Sequence, residues 1–448
     1  MSRIDMGTIT RKMVELAQQK GAEMSEAYGL DARELSIDVS QGVVETMKLA
    51  EDRGVGLRIF KKGRMGYAYT SDLDEKVLES TVERAIANAV WTGEDPYHVL
   101  PSKVEAYPHV DTFDPEISKT AVEEKINLAK EIEAAARATD ERVKITERSN
   151  YQDAEYTVSI VNSRGIDASY RGAYCGAYAY LVAEENGENQ TGFALSYGLR
   201  FSDIDPTKVG QEAANKAVRM LGAKRIASKR MPVLLDPYVV TQFMGILTPA
   251  LTAEAVQKGK SPLAGKKDQI VASDILTLVD DGRLEGRIAS APFDGEGVPS
   301  SRTVLIEDGI LKNYLHNSYT ARKEGAISTG NGTRGSFRGT PEVGTTNFYL
   351  QAGQETQEGL MAGIDYGFYV TEVMGMHTAN PISGDFSIGA SGLLIEKGRL
   401  TTPVRGVAIA GNLMELLQNI DGIGNDLTFF VGKGAPTVRI TSLPVSGD

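Results

Sequence analysis

The 448-residue sequence has one cysteine, one tryptophan and four histidines. A lone Cys175 leaves no internal disulfide to form, which fits a reducing cytoplasm, and it excludes a zinc site built from several cysteines. The histidines, His98, His109, His316 and His377, never fall at i, i+4 spacing, so no helix offers a local two-imidazole clamp. No apolar run reaches the ~20 residues that a membrane-spanning helix requires. The opening segment MSRIDMGTITRKMVELAQQKG has no signal-peptide core. Excess positive charge is missing too. The net charge is −12, from 48 basic and 60 acidic residues, whereas gripping a phosphate backbone calls for a concentrated basic face. The one basic cluster, KRIASKR (Lys224 to Arg230), reads as a solvated linker. These absences predict a cytoplasmic protein with no nucleic-acid and no membrane partner.

What is present is the balance of a globular protein, 41% hydrophobic and 24% charged. The length exceeds what one core usually organises and predicts two domains, 1–222 and 223–448. In the first, Ile9, Met13, Leu16 and Ala17 lie at helical spacing before Gly21, and Leu78, Val82, Ala85, Ile86 and Ala89 form a second apolar stripe. A third helix is expected from about Glu116 to Ala138, started by Pro115. Leu35, Ile37 and Val39 alternate as a half-buried strand, and Gly54 to Thr70 reads as a hairpin turning at Lys62-Gly63. RVKITERSN puts Val143 and Ile145 inward, and further turns fall at Ser163-Arg164-Gly165 and Asn186-Gly187. Seven of the 18 tyrosines lie between Tyr151 and Tyr197, a pattern of cross-strand packing on a sheet face. Asp205 and Pro206 start a closing helix. The second half holds 30 of the 47 glycines. It opens with the strand MPVLL, then Asp236-Pro237 as N-cap and first turn of a helix that Pro249 should end or kink. TVLIEDGILKNYLHN (Thr303 to Asn317) and GLLIEKGRLTTPVRG (Gly392 to Gly406) are similar hairpins, by duplication or by shared turn chemistry. Strands arriving in hairpins predict an α+β fold of mainly antiparallel sheets with flanking helices, its glycine-rich C-terminal domain sheet- or barrel-like.

Familiar motifs fail on context. GNGTRG (Gly330 to Gly335) matches a dinucleotide fingerprint letter by letter, yet a helical stretch precedes it and a loop follows, so it reads as a flexible loop. GKSPLAGKK has the wrong glycine spacing for a phosphate loop. Ser387 and Ser391, in GDFSIGASG, sit outside a nucleophile elbow. His98 and His109 read as surface residues, and His316 as a donor to a backbone carbonyl. His377 is the most suggestive histidine because Asp385 and Ser387 follow it, although a hydrogen-bonded structural role suits it better than catalysis.

The strings YVTEVMGMHTANPISGDFSIGASGLLIEKGRL (Tyr369 to Leu400), VAIAGNLMELLQNI and FFVGKGAPTVRI resemble the C-terminal signature of the TldD/PmbA family. LHNSYTARKEGAISTGNG, Val271 to Ser300, and Gly42 to Thr70 extend the resemblance over most of the chain. Members of that family are described as DNA gyrase modulators and metalloprotease components. Its TldD type carries HExxxH after a strand reading like VLL, two histidines holding a metal and a glutamate activating its water, with a further cysteine ligand near the C-terminus. Here the string is VLLDPYVVT: Asp236, Pro237 and Thr241 replace the three motif residues, and FVGKGAP has no cysteine. The chain therefore resembles the PmbA/TldE type.

That resemblance implies a non-catalytic subunit with no metal or other cofactor of its own, zinc or a similar metal residing in a TldD-like metalloprotease partner. The assembly would act on unfolded or short peptides, in general proteolysis, microcin maturation and antitoxin degradation. Peptide would be presented as an added strand. The glycine-rich loops around Gly330, Gly332 and Arg334, and around His377, Asp385 and Ser387, are candidate chamber or partner-contact surface. Pairing of the isolated chain into a homodimer is left open. The rival readings are a stand-alone hydrolase using His377, Asp385 and Ser387, and a structural modulator of gyrase.

Overall fold

The computed structural model describes residues 5–448. Its N-terminal half is built on one antiparallel six-stranded sheet. The strands are β1 (Met24–Ser40), β2 (Val43–Lys61), β3 (Arg64–Thr70), β4 (Val143–Asn162), β5 (Asp167–Glu185) and β6 (Glu188–Gly198), in spatial order β3-β2-β1-β4-β5-β6. The expected turns fall where they were read, with Lys62, Gly63, Asn186 and Gly187 all at positive φ. Period-two alternation then sorts the two faces of β1. Ala27, Leu35, Ile37 and Val39 face the helices; Tyr28 and Leu30 face the other way. The helix side is covered by α1 (Met6–Gln19), α2 (Glu75–Ala89), α3 (Pro115–Lys119), α4 (Val122–Thr139) and α5 (Pro206–Val218). Asp205 caps α5 as its sequence predicts, accepting from Lys208 N at 3.0 Å.

Two readings of this half need correction. The single helix expected from Glu116 to Ala138 is two, because Thr120 and Ala121 turn to extended ψ values of 127° and 144°. The Thr120 hydroxyl closes the first piece by donating to Glu116 O at 2.8 Å. Ile145 does not point inward; it is 43% exposed while Val143 and Thr146 are buried. Register shifts between Val143 and Ile145 and between Thr146 and Arg148 supply the extra residues that flip the face. The tyrosines do pack across strands: Tyr156 and Tyr170 meet edge-on at 6.1 Å.

The C-terminal half begins with β7 (Lys229–Leu235), whose first two residues belong to the segment read as linker. β7 lies between strands Tyr366–Met374 and Val438–Ser446. Asp385–Glu396 and Arg399–Asn412 continue from the first of these, and the last returns to Val438–Ser446. That pairing closes a five-stranded barrel, antiparallel except for one parallel pair. The helix α6 (Pro237–Leu247) leaves β7 and buries Val239, Phe243, Met244 and Leu247 in the main core, with the Phe243 ring 5.1 Å from Phe386. It ends before Pro249, in a short 3₁₀ turn, as proline requires. A second sheet, carrying Leu278–Asp281 and Arg302–Glu307, packs beside the barrel. The two similar hairpins turn at Asp308-Gly309 and Lys397-Gly398, both pairs at positive φ, so the shared sequence pattern is that of the turn. The fold is α+β with mainly antiparallel sheets. Among the described residues no helix is long and apolar enough to cross a membrane.

Candidate functional site

Asp236 joins β7 to α6, and residues 237–241 form the start of that helix at the rim of a cleft between the two halves. Asp236 caps α6: its Oδ1 accepts from Tyr238 N at 3.0 Å, and Pro237 fills the first turn, where a missing N–H costs nothing. The second carboxylate oxygen accepts from the Tyr369 hydroxyl at 2.7 Å. Tyr369 is 4% exposed, and its pKa is pushed far up by burial and by the Asp236 charge. Thr241 is buried and donates its hydroxyl to Tyr238 O at 2.7 Å. A tetrahedral zinc needs three or four converging nitrogen, sulfur or carboxylate ligands. The donor set here is one carboxylate already bonded at both oxygens, a proline ring and a hydroxyl spent on the backbone. It does not fit a metal. No group of three or more His, Cys, Asp or Glu suited to a metal occurs among the described residues.

Beside this helix start lies a cavity of about 420 Å³. One wall is β6 from Thr191 to Leu195, the terminal strand of its sheet; α5 contributes Lys216 and its C-cap Arg219, α6 contributes Tyr238 and Gln242, and the barrel contributes Glu372. Tyr238 lies 5.1 Å from Phe430 and 6.2 Å from Phe193 between ring centroids. Burial pushes the Glu372 carboxyl above its ordinary range, with Arg219 pulling it back. Burial also raises the Tyr238 phenol, reinforced by Glu372.

The remaining candidates are placed elsewhere. Gly330 and Gly332 are buried, and the Arg334 side chain is 1% exposed. Arg334 bonds the Glu26 carboxylate and donates to Gly295 O at 2.7 Å, its guanidinium over the Tyr28 ring. Glu26 also pairs with Arg58 at 2.9 Å, and Arg58 with Glu296 at 3.0 Å. These three loop residues thus sit inside the junction of the halves, where Phe293 and Phe337 pack on Tyr28 and Ile160. His377, Asp385 and Ser387 are all exposed. Asp385 is engaged by Ser383 Oγ at 2.8 Å and Asn412 Nδ2 at 2.9 Å, which hold its pKa below the usual range. No hydrogen bond joins any two of His377, Asp385 and Ser387 among the described residues. The His377 side chain likewise makes no hydrogen bond among the described residues, against the structural role expected of it. His109 is exposed as expected, whereas His98 is only partly at the surface. Its ring is half-buried between Phe60 at 4.9 Å and Tyr319 at 5.9 Å. His316 is 6% exposed, and burial depresses its pKa against the nearby Glu324. Arg219, Glu372, Tyr238, Gln242 and Tyr369 were not singled out from sequence. The available signal was that Tyr238 falls within VLLDPYVVT, and Tyr369 and Glu372 within the string YVTEVMG.

These features define a class: a two-part α+β chain whose cleft opens at the start of a helix leaving a closed barrel. Family models match three stretches, the PmbA/TldA metallopeptidase domain 1 over residues 25–89, its central domain over 115–221 and its C-terminal domain over 228–447. The chain belongs to the PmbA/TldD metallopeptidase family. It is 31% identical to the metalloprotease PmbA of Escherichia coli O157:H7 over 97% of this chain and 94% of that protein. A crystal structure from Thermotoga maritima, of a suggested modulator of a DNA gyrase, is 31% identical with a TM-score of 0.90, covering 98% of this chain and 99% of the other. TldE from Thermococcus kodakarensis shares the fold, with a TM-score of 0.90 at 23% identity over 98% and 100% of the two chains.

Proposed function

We propose that this chain is the non-catalytic subunit of a heteromeric metalloprotease, the metal and the general base belonging to a TldD-like partner. The observation that carries this reading is the use of Asp236, Pro237 and Thr241 as a helix start, with each polar atom bonded inside the chain. Unfolded or short peptides are the substrate class. The free edge of β6 offers backbone groups to which an extended peptide can add as a strand, a mode that tolerates many sequences. The cytoplasm is the compartment that a single, buried thiol suits. The test is co-expression with a partner bearing HExxxH, followed by peptidase assays on each chain and on the complex. Activity is expected only in the complex, and it should vanish with chelator or with loss of the partner's glutamate. Chelator-insensitive cleavage by this chain alone, or zinc bound to it stoichiometrically, overturns the proposal.

A further inference from the structure

The cleft beside α6 carries unused polar groups. The Arg219 Nε is covered by protein and has no partner, and the whole guanidinium makes no hydrogen bond within the chain among the described residues. The side chains of Glu372, Tyr238, Gln242 and Thr371, on the same cavity wall, make none either, apart from electrostatic contact with one another and with Arg219. Lys216 is different: its ammonium is spent on Glu212 at 2.6 Å. The cavity therefore offers one free cation and one free anion, of opposite sign and not bonded to each other. The same cavity is lined by an aromatic group of Phe193, Tyr238 and Phe430. Arg219 is half-buried with its Nε covered, and a buried polar group without a hydrogen bond is costly to leave that way; Glu372 stands at the exposed mouth of the cavity, and a ligand reaching from one to the other recovers the cost at Arg219. At about 420 Å³ the space is that of a small-molecule pocket.

A ligand matching this wall needs a carboxylate, an ammonium and an apolar ring. We propose that the cleft binds a zwitterionic dipeptide, its carboxylate on Arg219, its ammonium on Glu372 and an aromatic side chain against Tyr238 and Phe430. This assignment rests on the reading of the chain as a peptide-handling subunit and names the ligand class: a short peptide with both ends free. No bond is made or broken here; the site holds its ligand by charge-assisted hydrogen bonds and ring contact.

The experiment is isothermal titration calorimetry on the isolated full chain, with Ala-Phe, N-acetyl-Ala-Phe, Ala-Phe amide and Ala-Ala as probes. Ala-Phe should bind best, and blocking either end should weaken binding by about tenfold or more. Arg219→Met should lose the preference for Ala-Phe over its amide, and Glu372→Gln the preference over the acetylated form, with unchanged thermal unfolding showing that both variants fold. The conservative Arg219→Lys should restore part of the carboxylate preference. Equal affinity for capped and free dipeptides, or no heat from Ala-Phe with a folded chain, overturns the assignment. Peptidase activity of the complex is read separately. An active complex whose isolated subunit ignores dipeptides refutes only this inference, and an inactive complex with dipeptide binding intact refutes only the subunit role.

Discussion

Replacing Asp236 by alanine tests the helix start directly. The carboxylate does two things: it caps α6 through Tyr238 N at 3.0 Å, and it accepts the Tyr369 hydroxyl at 2.7 Å. Loss of an N-cap costs ~1 kcal/mol. The Tyr369 hydroxyl is then left buried without its acceptor, which adds ~1–3 kcal/mol. Asp236→Ala should therefore destabilise the chain by about 2–4 kcal/mol, more than a cap alone explains. Asp236→Asn keeps an acceptor oxygen and should cost about 1 kcal/mol less than the alanine variant. In the double variant Asp236→Ala with Tyr369→Phe the stranded hydroxyl is gone, so the two single costs should fail to add by about 1–2 kcal/mol. Urea unfolding read as a midpoint shift at constant slope measures each value. Strict additivity of the two substitutions would refute the shared hydrogen bond, and a bound metal lost from the alanine variant would refute the helix-start reading altogether.

Three other consequences follow from groups buried elsewhere. Glu26→Gln leaves Arg58 and Arg334 with weakened partners inside the junction and should destabilise by about 3 kcal/mol or more, seen as a lower urea midpoint; a change within ~0.5 kcal/mol would mean that water already reaches the cluster. Burial and the Glu296 charge push the Asp294 carboxyl from 3.8 up to about 8, against three backbone N–H donors. The folded chain then holds a proton the unfolded chain releases, so this contribution is full below pH about 4 and lost as pH rises to about 8. Thermal melts across that window should fall with pH, and Asp294→Asn should flatten the slope; an unchanged slope in the variant would refute it. Burial pushes the Cys175 thiol up to about 12, so a thiol reagent at pH 8 should react only after unfolding, and rapid native labelling would contradict its buried place on the core face of β5.

How far the sequence could be read follows from which interactions are local. Turn pairs such as Lys62-Gly63 and Lys397-Gly398 announce their hairpins because glycine takes positive φ without steric cost, and Asp236-Pro237 announces its helix because the aspartate caps it and the proline presets helical φ. A bulge is invisible at that level. Nothing in VKITER says that the register slips, yet the slip alone decides that Ile145 faces outward. The break at Thr120-Ala121 is hidden likewise, in residues that tolerate a helix. Barrel closure depends on Arg399–Asn412 meeting Val438–Ser446, a pairing of chain segments that no short window contains. The buried charges show the same limit most clearly. No short window marks Glu26, Arg58, Glu296 and Arg334 as one buried cluster, because the pairing that makes them structural joins residues of the two halves. Arg219 and the exposed Glu372 are equally distant in sequence, and the fold brings them to one cavity and leaves both without a hydrogen bond among the described residues. A residue pattern can mark a charged side chain, but only the assembled walls show whether its complement lies inside the chain or must come from a ligand.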